Sequence, residues 1–460
     1  MIRLFRVFLP TGTVTMLVSE LVWITGAFVA ATFIALPADA EIFLLDDNGV
    51  WRILLVVVGA VVTLHFHDLY TDLYVKSRII LLQQLCMVAG ILFLLQGLIS
   101  YLNPEFRVPI RIMVLGNAMA VAVIFLWRII FSAYVLEAVG RDKLLLVGEP
   151  MLLEEIGRYV EAHPETGSRV LGYVTDEMPH GALLPGGKVL GQAADIRDLV
   201  ENLQPNRVIV SSPEDERGIP IGELLDLRFN GQTVEDATNA YERITGRINL
   251  RALRPEQLIF SGEYAPRSLG LFYQTAVNRL LAILGLLLTL PITVAAAVAI
   301  KLTSRGPVLA RGVRVGLDGE PFVLYKFRCI RLPDGAADFW VPKNDPRVTK
   351  TGRFLRTSRI DELPQLFNVL RGDMSIIGPR PERPEFVRWL TEQIPCYQQR
   401  HAVRPGVTGW AQINDEHEGP LDALTSLEYD LYYIKNMSIS LDTFILAHTL
   451  KATVVSRGAD

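Results

Sequence analysis

Apolar residues dominate the first 140 positions, in long stretches separated by short polar segments. The four stretches are residues 12–36, 50–67, 79–102 and 110–136. The third carries no charge between Ile79 and Asn103, and is therefore long enough to cross a hydrocarbon core of ~30 Å. The pattern predicts a membrane protein with an α-helical N-terminal bundle of four spans over residues 1–140.

Charges in the connecting segments predict the orientation of this bundle. The basic residues that flank its spans on one side are Arg3, Arg6, Lys76, Arg78, Arg141 and Lys143. The loop after the first span is acidic and has no Lys or Arg before Arg52. By the positive-inside rule both ends of the bundle are cytoplasmic. Glu20 and Arg128 lie inside spans, near their cytoplasmic ends, where an interfacial position and snorkelling would keep the charges hydrated.

Residues 141–260 alternate short apolar runs with amphipathic segments. We predict strands at 143–148, 169–175 and 207–211, and helices at 152–163, 193–203 and 221–229. Such alternation is typical of a parallel sheet, here an α/β Rossmann-like middle domain. Only Gly148 of the glycine-rich dinucleotide fingerprint is present, which favours a structural or regulatory module over a dinucleotide site.

A fifth apolar run is uncharged from Leu280 to Ile300 and has Pro291 at its midpoint. As a straight helix it would reach about 31 Å. Arg279 and Lys301 make both flanks basic, so the charge rule offers no outside end. One interpretation is a re-entrant hairpin over about residues 276–301 that breaks at Pro291. The other is a kinked full span.

The overall composition excludes several classes of function. The 460-residue chain is half apolar and has a net charge of −4, so no general basic field indicates a nucleic-acid partner. Its three cysteines and seven histidines are scattered, which argues against a disulfide framework and a His/Cys metal site. No small-residue cleavage site follows the first apolar stretch, which predicts a retained anchor.

The candidate chemistry centres on the adjacent carboxylates Asp361 and Glu362. We predict a helix start near Ser358–Asp361, because Pro364 is tolerated only in a first helical turn. At that position the helix dipole would keep Asp361 ionised and would also favour a phosphate. From spacing alone, simple capping of the helix is the favoured explanation of such a pair.

A set of cations surrounds this pair in the sequence. Its members are Lys326, Arg328, Arg353, Arg356, Arg359, Arg380 and Arg383. They could form a solvated face or contact anionic headgroups. Carboxylates among many cations also suit a divalent metal with a diphosphate, because Mg²⁺ takes one or two carboxylates plus substrate phosphates and Arg binds phosphate in a bidentate way.

Residues 270–455 resemble the bacterial sugar transferases, the monotopic polyprenol-phosphate phosphoglycosyl transferases. The matching motifs are Lys326-Phe327-Arg328, Arg356 to Leu366, Asn368 to Ser375, Gly378-Pro379-Arg380-Pro381, Arg404 to Gln412 and Tyr429 to Tyr433. The four spans and the middle module are similar to the long members that prime exopolysaccharide, capsule or O-antigen synthesis. The resemblance implies a mostly helical C-terminal catalytic domain over residues 270–460.

The resemblance also implies a reaction and a site. Asp361 would attack a UDP-sugar with release of UMP, and undecaprenyl phosphate would then accept the phospho-sugar. Glu362 would assist, Mg²⁺ would bridge Asp361 and the diphosphate, and Pro379, Pro381 and Gln412 would support the site. The phosphate-binding residues would be Lys326, Arg328, Arg356 and Arg380. UDP-sugars are cytoplasmic, so the re-entrant interpretation is preferred, with the catalytic domain on the cytoplasmic face of the bacterial inner membrane.

Two positions depart from the family pattern. Leu290-Pro291 stands where the family has a Ser-Pro type step, so Pro291 alone would break the helix. Cys329-Ile330 follows Arg328 where a hydroxyl residue and Met are usual, which puts a hydroxyl contact at that position in doubt. The segment Arg383–Ala402 has the pattern of either an interfacial helix or an ordinary amphipathic core helix.

Two other functions would fit parts of this chain. A membrane-anchored NDP-sugar dehydratase or epimerase would need a full glycine fingerprint and a Tyr-x-x-x-Lys pair, and the chain has neither. A non-catalytic nucleotide-sensing scaffold would leave Asp361 and Arg380 idle. The sequence does not identify the sugar, and it leaves open whether the chain forms a homo-oligomer.

Overall fold

The computed structural model describes residues 2–4, 7–9, 11–67, 69–70, 77–135, 142–211, 220–251, 268–331, 347–418 and 422–455. The protein is mostly helical, with several apolar helices near the N-terminus and a mixed sheet. The main division into two compact units falls between Ala237 and Thr238. Lys76, Arg141 and the predicted domain boundary at residue 260 lie outside the described residues.

Four apolar helices begin the first unit. They are α1 (Thr11–Ala35), α2 (Gly49–Phe66), α3 (Arg78–Leu102) and α4 (Ile110–Ile130), preceded by the paired strands β1 (Ile2–Leu4) and β2 (Val7–Leu9). On α3 the buried residues Leu81, Leu85, Val88 and Leu92 recur at helical spacing, whereas Leu94 is 77% exposed. An apolar inner stripe and an apolar outer face together fit a helix packed in lipid.

A buried ion pair joins α1 to α4. Arg128 donates from Nε to Glu20 Oε1 at 2.6 Å and from Nη2 to Oε2 at 3.1 Å. Its Nη1 donates to the carbonyl oxygen of Leu69 at 2.6 Å. Both side chains are buried, so the expectation of an interfacial Glu20 and a snorkelling Arg128 is wrong. The two charges satisfy each other, because either alone would be costly in apolar surroundings.

A six-stranded sheet follows in the same unit. Its elements are β3 (Asp142–Gly148), α5 (Pro150–Ala162), β4 (Ser168–Val174), β5 (Leu183–Leu184), β6 (Gly187–Gly191), α6 (Ile196–Leu203), β7 (Arg207–Ser211), α7 (Ile221–Phe229) and β8 (Thr233–Asp236). The strand order is β5-β6-β4-β3-β7-β8, parallel except for the β5–β6 pair. The strands and helices predicted between residues 143 and 229 are confirmed close to their predicted ends.

Gly148 has a structural explanation at the centre of this sheet. Its φ is +109°, and an added Cβ would lie 2.1 Å from the carbonyl oxygen of Ser211 on the neighbouring strand. Only glycine fits such a close approach of two backbones with positive φ. The packing therefore accounts for Gly148 without a bound nucleotide.

The second unit begins with a segment that the sequence assigns to the middle module. Helix α8 (Ala237–Thr245) carries Glu242, which pairs with Lys435 Nζ at 2.9 Å. The indole Nε1 of Trp410 donates to the carbonyl oxygen of Gly246 at 2.7 Å, and Ile248 is buried in the core of this unit. Residues 238–251 therefore pack with the C-terminal part of the chain.

The fifth apolar helix, α9 (Ser268–Thr303), is assigned without interruption and contains Pro291. Near its start Asn278 Nδ2 donates to Ser375 Oγ at 2.8 Å. Near its end Ala296 and Ile300 are buried against Phe327. Both ends thus pack on the second unit. Between them many apolar side chains are exposed; Leu288, for example, is 79% exposed.

The rest of the second unit is a compact mixture of helices and short strands. Its elements are β9 (Leu309–Val315), β10 (Pro321–Phe327), α10 (Lys350–Thr357), α11 (Gln365–Arg371), β11 (Ser375–Ile377), α12 (Pro384–Gln393), β12 (Gly406–Thr408), α13 (Trp410–Glu418), α14 (Ala423–Asn436) and α15 (Ile439–Val455). Strands β9 and β10 form an antiparallel hairpin, and β11 pairs with β12 in parallel. The core includes Val369, Tyr397, Leu431, Tyr433 and Ile445.

Candidate active site

A polar cavity of about 560 Å³ in the second unit brings most of the predicted site residues together. One wall is the β9–β10 hairpin, in which Gly312 pairs with Leu324 and Ala310 with Lys326. Residues directly opposite each other point to the same face, and the face alternates along a strand. Arg314, Leu324 and Lys326 therefore line the cavity from one face of the hairpin.

Asp361 and Glu362 enter the cavity on a short 3₁₀ turn, Ile360–Glu362. The preceding residue, Arg359, has the left-handed φ of +53°, which ends α10 and turns the chain. Helix α11 begins only at Gln365, so the predicted helix start near Ser358–Asp361 is wrong by several residues. A strained backbone next to a buried carboxylate is typical of a functional site, whereas simple helix capping needs no such strain.

Glu362 is paired with a cation inside the cavity. Lys326 Nζ donates to its Oε1 at 2.7 Å, and both side chains are partly exposed. Burial acts to raise the pKa of Glu362, but Lys326 and Arg380 outweigh it, so this pKa lies below its ordinary value. Glu362 is therefore ionised at neutral pH. Lys326, predicted to bind phosphate, is committed at least in part to this carboxylate.

Asp361 has the opposite electrostatic environment. Its side chain is only 9% exposed. Burial, followed by the charge of Glu362, raises its pKa to about 6, against the lowering influence of Lys326 and Arg356. At neutral pH the carboxylate is ionised but poorly solvated, which makes it a stronger nucleophile than a surface aspartate.

Arg380 reaches the cavity from the loop Gly378-Pro379-Arg380-Pro381, which follows β11. The loop is held by backbone contacts: the N–H of Gly406 donates to Pro379 O at 2.9 Å, and an added Cβ on Gly378 would lie 2.4 Å from Arg404 O. The prolines restrict the backbone on both sides of Arg380. Pro381 and Gln412 also line the cavity.

A buried ion pair supports the backbone of this loop at Arg380. Arg400 Nη2 donates to the carbonyl oxygen of Arg380 at 3.1 Å and lies 2.7 Å from Asp430 Oδ2. Arg400 also donates to the hydroxyl of Tyr397. Arg400 and Asp430 are both buried. Burial raises the pKa of Asp430 to about 6, and Arg400 opposes that rise.

Replacing Arg400 by alanine should destabilise the protein by about 3–5 kcal/mol, because Asp430 would remain buried without its partner. The measurement is thermal or denaturant unfolding of the detergent-solubilised protein. The matched control is Arg388→Ala, an exposed arginine on α12, which should change stability by less than about 0.5 kcal/mol. Equal effects of the two variants would contradict a structural role for the Arg400–Asp430 pair.

Sequence reasoning missed several residues of the cavity. Arg314, Gln365, Glu382 and Phe386 line it, and Arg359 and Arg383 line it without having been assigned a role. Alternation along β9, read against Lys326 on its partner strand, could have identified Arg314. No such sequence pattern marks Phe386 and Glu382, because contacts between segments distant in sequence bring them to the cavity.

Two other predicted site residues, Arg328 and Pro291, do not line the cavity. Arg328 is 2% exposed and donates to the carbonyl oxygens of Arg305 at 2.6 Å and Ser304 at 2.9 Å. It ties the end of α9 to the end of β10 and is not among the residues lining the cavity, so the structure does not place it with the other predicted phosphate-binding residues. Lys326 lies within β10, whereas Arg328 directly follows the strand and is turned to the end of α9 by these contacts.

The donor set for a metal is small. Among the described residues, no group of three or more His, Cys, Asp or Glu side chains lies close enough to hold an ion. This excludes an all-protein cage there but fits Mg²⁺, which uses one or two carboxylates and takes its other oxygens from water and substrate phosphates. Glu362 is paired with Lys326, so Asp361 is the carboxylate of the adjacent pair that would hold the ion.

A buried aspartate in a cation-lined cavity, in a chain with apolar helices long enough to cross a membrane, suits an enzyme that acts on anionic substrates at a membrane. A family model described as bacterial sugar transferase matches residues 270–456. The chain is 42% identical over 159 residues to a Bacillus subtilis protein named uncharacterized sugar transferase EpsL, of which it covers 76%. The chain therefore belongs to the bacterial sugar transferase family.

Two further relatives carry named activities. An Aeromonas hydrophila UDP-N-acetylgalactosamine-undecaprenyl-phosphate N-acetylgalactosaminephosphotransferase is 42% identical over 47% of this chain and 51% of its own length. A Xanthomonas campestris pv. campestris UDP-glucose:undecaprenyl-phosphate glucose-1-phosphate transferase is 32% identical over 68% of this chain and 66% of its own length. The chain thus spans one half to two thirds of these relatives.

Proposed function

We propose that this protein transfers a sugar-1-phosphate from a UDP-sugar to undecaprenyl phosphate and releases UMP. The observation that carries the proposal is Asp361, a buried but ionisable carboxylate in a cavity lined by six cationic side chains. Those cations suit a diphosphate, and the relatives are named for this reaction with UDP-glucose or UDP-N-acetylgalactosamine. The product would open exopolysaccharide, capsule or O-antigen synthesis.

In the first step a carboxylate oxygen of Asp361 attacks the β-phosphorus of the UDP-sugar. An acyl-phosphate bond forms as the bond from that phosphorus to the bridging oxygen breaks, and the electron pair leaves with UMP. Arg356 and Arg380 lie in the same cavity, where they can neutralise the charge that develops on the phosphates. Glu362 stays ionised through Lys326 and keeps the nearest cation beside the reacting centre.

In the second step an oxygen of undecaprenyl phosphate attacks the same phosphorus and frees Asp361. The product is undecaprenyl-diphosphate-sugar, so covalent catalysis divides one displacement into two and gives ping-pong kinetics. Mg²⁺, when bound at Asp361 and the diphosphate, would withdraw charge from the phosphoryl oxygens. Gln365 and Gln412 complete the wall of the cavity.

The function is tested with purified protein, undecaprenyl phosphate and a panel of UDP-sugars that includes UDP-glucose and UDP-N-acetylgalactosamine. UMP should be released with one or more of them, and release should require Mg²⁺. Mass spectrometry of protein quenched without undecaprenyl phosphate should show a phospho-sugar on the peptide that contains Asp361. Release of UDP instead of UMP would exclude the proposal.

We further propose that α1–α4 span the bacterial inner membrane as a four-helix bundle and that α9 is re-entrant, with a kink at Pro291. Support comes from the two ends of α9, both of which contact the catalytic part of the chain through Asn278 and Ile300. A helix that crossed the membrane would separate these ends by the full ~30 Å core. Exposed leucines between them suit insertion into one leaflet.

Cysteine accessibility tests this topology. Arg279→Cys and Arg305→Cys, in a chain lacking Cys86, Cys329 and Cys396, place thiols at exposed positions near the two ends of the apolar run. Both thiols should react with a membrane-impermeant maleimide only when the membrane is opened so that the reagent reaches its cytoplasmic face. Reaction of one thiol from the outer face of intact spheroplasts would show that α9 spans the membrane.

A further inference from the structure

One buried polar atom in the cavity is unexplained by the contacts of the protein itself. The side-chain oxygen Oε1 of Gln412 is shielded from solvent and has no hydrogen-bond partner among the described residues. Leaving such an atom unpaired lowers the stability of the folded protein. Unpaired buried groups in native structures call for a functional explanation, such as a ligand that completes them.

The position of Gln412 is fixed by its neighbours. It lies in the first turn of α13, between the buried residues Ala411 and Ile413. The same helix is anchored by Trp410, whose indole donates to Gly246 O and stacks on Tyr432 at a ring separation of 5.9 Å. A rigid helix start fixes the backbone of Gln412 and so limits the partners that its side chain can reach.

The chemistry of the cavity indicates which kind of ligand atom would bind the side-chain oxygen of Gln412. The cavity's other polar side chains are mainly Lys and Arg, which only donate hydrogen bonds and match phosphate oxygens. The cavity's acceptors besides Gln412 are Asp361, the proposed nucleophile, Glu362, which is paired with Lys326, and the side chains of Glu382 and Gln365. A nucleotide sugar also carries donors: the uracil N3–H and the hydroxyls of its two sugars. A neutral acceptor binds these without repelling the diphosphate.

We propose that the Gln412 side-chain oxygen accepts a hydrogen bond from a neutral N–H or O–H donor of the UDP-sugar and thereby sets donor-substrate specificity. This rests on the proposed function. The role follows from geometry, because Gln412 lies beside the loop that carries Arg380: an added Cβ on Gly409 would be 2.2 Å from Gly378 O and 3.5 Å from Gln412 Oε1. The donor atom would thus meet Gln412 next to the phosphates.

The test compares Gln412→Met, which has a similar shape but no amide, with Gln393→Met, an exposed glutamine at the end of α12. Steady-state UMP release gives kcat/KM for the parent UDP-sugar and for analogues that each lack one donor: N3-methyluracil, 2′- and 3′-deoxyribose, and the deoxy forms of the transferred sugar. Gln412→Met should lower kcat/KM for the parent by about 10–100-fold, and Gln393→Met should not change it.

One analogue should lose a similar factor with the wild-type protein and almost nothing with Gln412→Met. If that analogue is the N3-methyluracil derivative, the base is the partner of Gln412. If it is a deoxy sugar, the missing hydroxyl is the partner. If Gln412→Met does not fold, Gln412→Glu replaces it; a charged acceptor strengthens the bond, so the penalty for the same analogue should grow. Additive losses for every analogue, or an unchanged penalty in Gln412→Glu, would overturn the proposal. If the wild-type protein releases no UMP at all, the proposed function fails instead.

Discussion

Asp361→Asn should abolish sugar-phosphate transfer, with kcat falling by about 10⁴-fold or more, the scale seen when a catalytic nucleophile is removed. Asparagine has nearly the same shape but no ionisable oxygen, so the first displacement cannot occur. The measurement is UMP release with saturating UDP-sugar, together with mass spectrometry for the phospho-sugar adduct. Binding of the UDP-sugar should survive, because the cations that hold its phosphates are untouched.

The matched control is Asp318→Asn, in the short turn between β9 and β10. Asp318 is exposed and has a φ of +54°, a conformation that asparagine also tolerates. This variant should keep wild-type activity. An Asp361→Asn protein that still releases UMP at more than about one hundredth of the wild-type rate would mean that another group attacks the phosphorus.

Local patterns predicted the elements whose residues interact with their neighbours in sequence. Strands such as Arg207–Ser211 and helices such as Ile221–Phe229 were predicted with their observed ends, because periodicity reports which face is buried. The start of α11 was not predicted correctly, because Arg359 adopts a left-handed conformation that helix propensity does not foresee. That one residue replaces the predicted helix start by a 3₁₀ turn under Asp361.

Pairing between charges that are far apart in sequence was the other feature that the sequence did not predict. Glu20 and Arg128 are 108 positions apart, and each alone looks like a charge that must reach water. Lys326 and Arg328 appear equivalent in a cation-rich strand, but only Lys326 lines the cavity, while Arg328 is held by Ser304 and Arg305. Residue type and spacing gave the chemistry of the site, and long-range packing decided which members take part.

Glu362→Gln should lower kcat by about 10²-fold or more and move the acid limb of the pH profile to lower pH. The ionised form of Asp361 is the attacking form, so kcat/KM should fall as the pH drops through its pKa of about 6. Glu362 raises that pKa by its charge. Without this charge the pKa of Asp361 decreases, and the ionised form persists to lower pH. The measurement is kcat/KM for UMP release from pH 5 to 8.

Lys326→Met should move the same limb in the opposite direction. Lys326 lowers the pKa of Asp361, so its removal raises that pKa and activity should be lost at a higher pH than in the wild-type protein. The two variants disrupt the same ion pair, whose atoms are 2.7 Å apart, and a merely structural role for that pair would give equal effects. Opposite shifts would therefore assign the limb to Asp361. Shifts in the same direction, or an unchanged limb in both variants, would show that a different group controls the acid side of the profile.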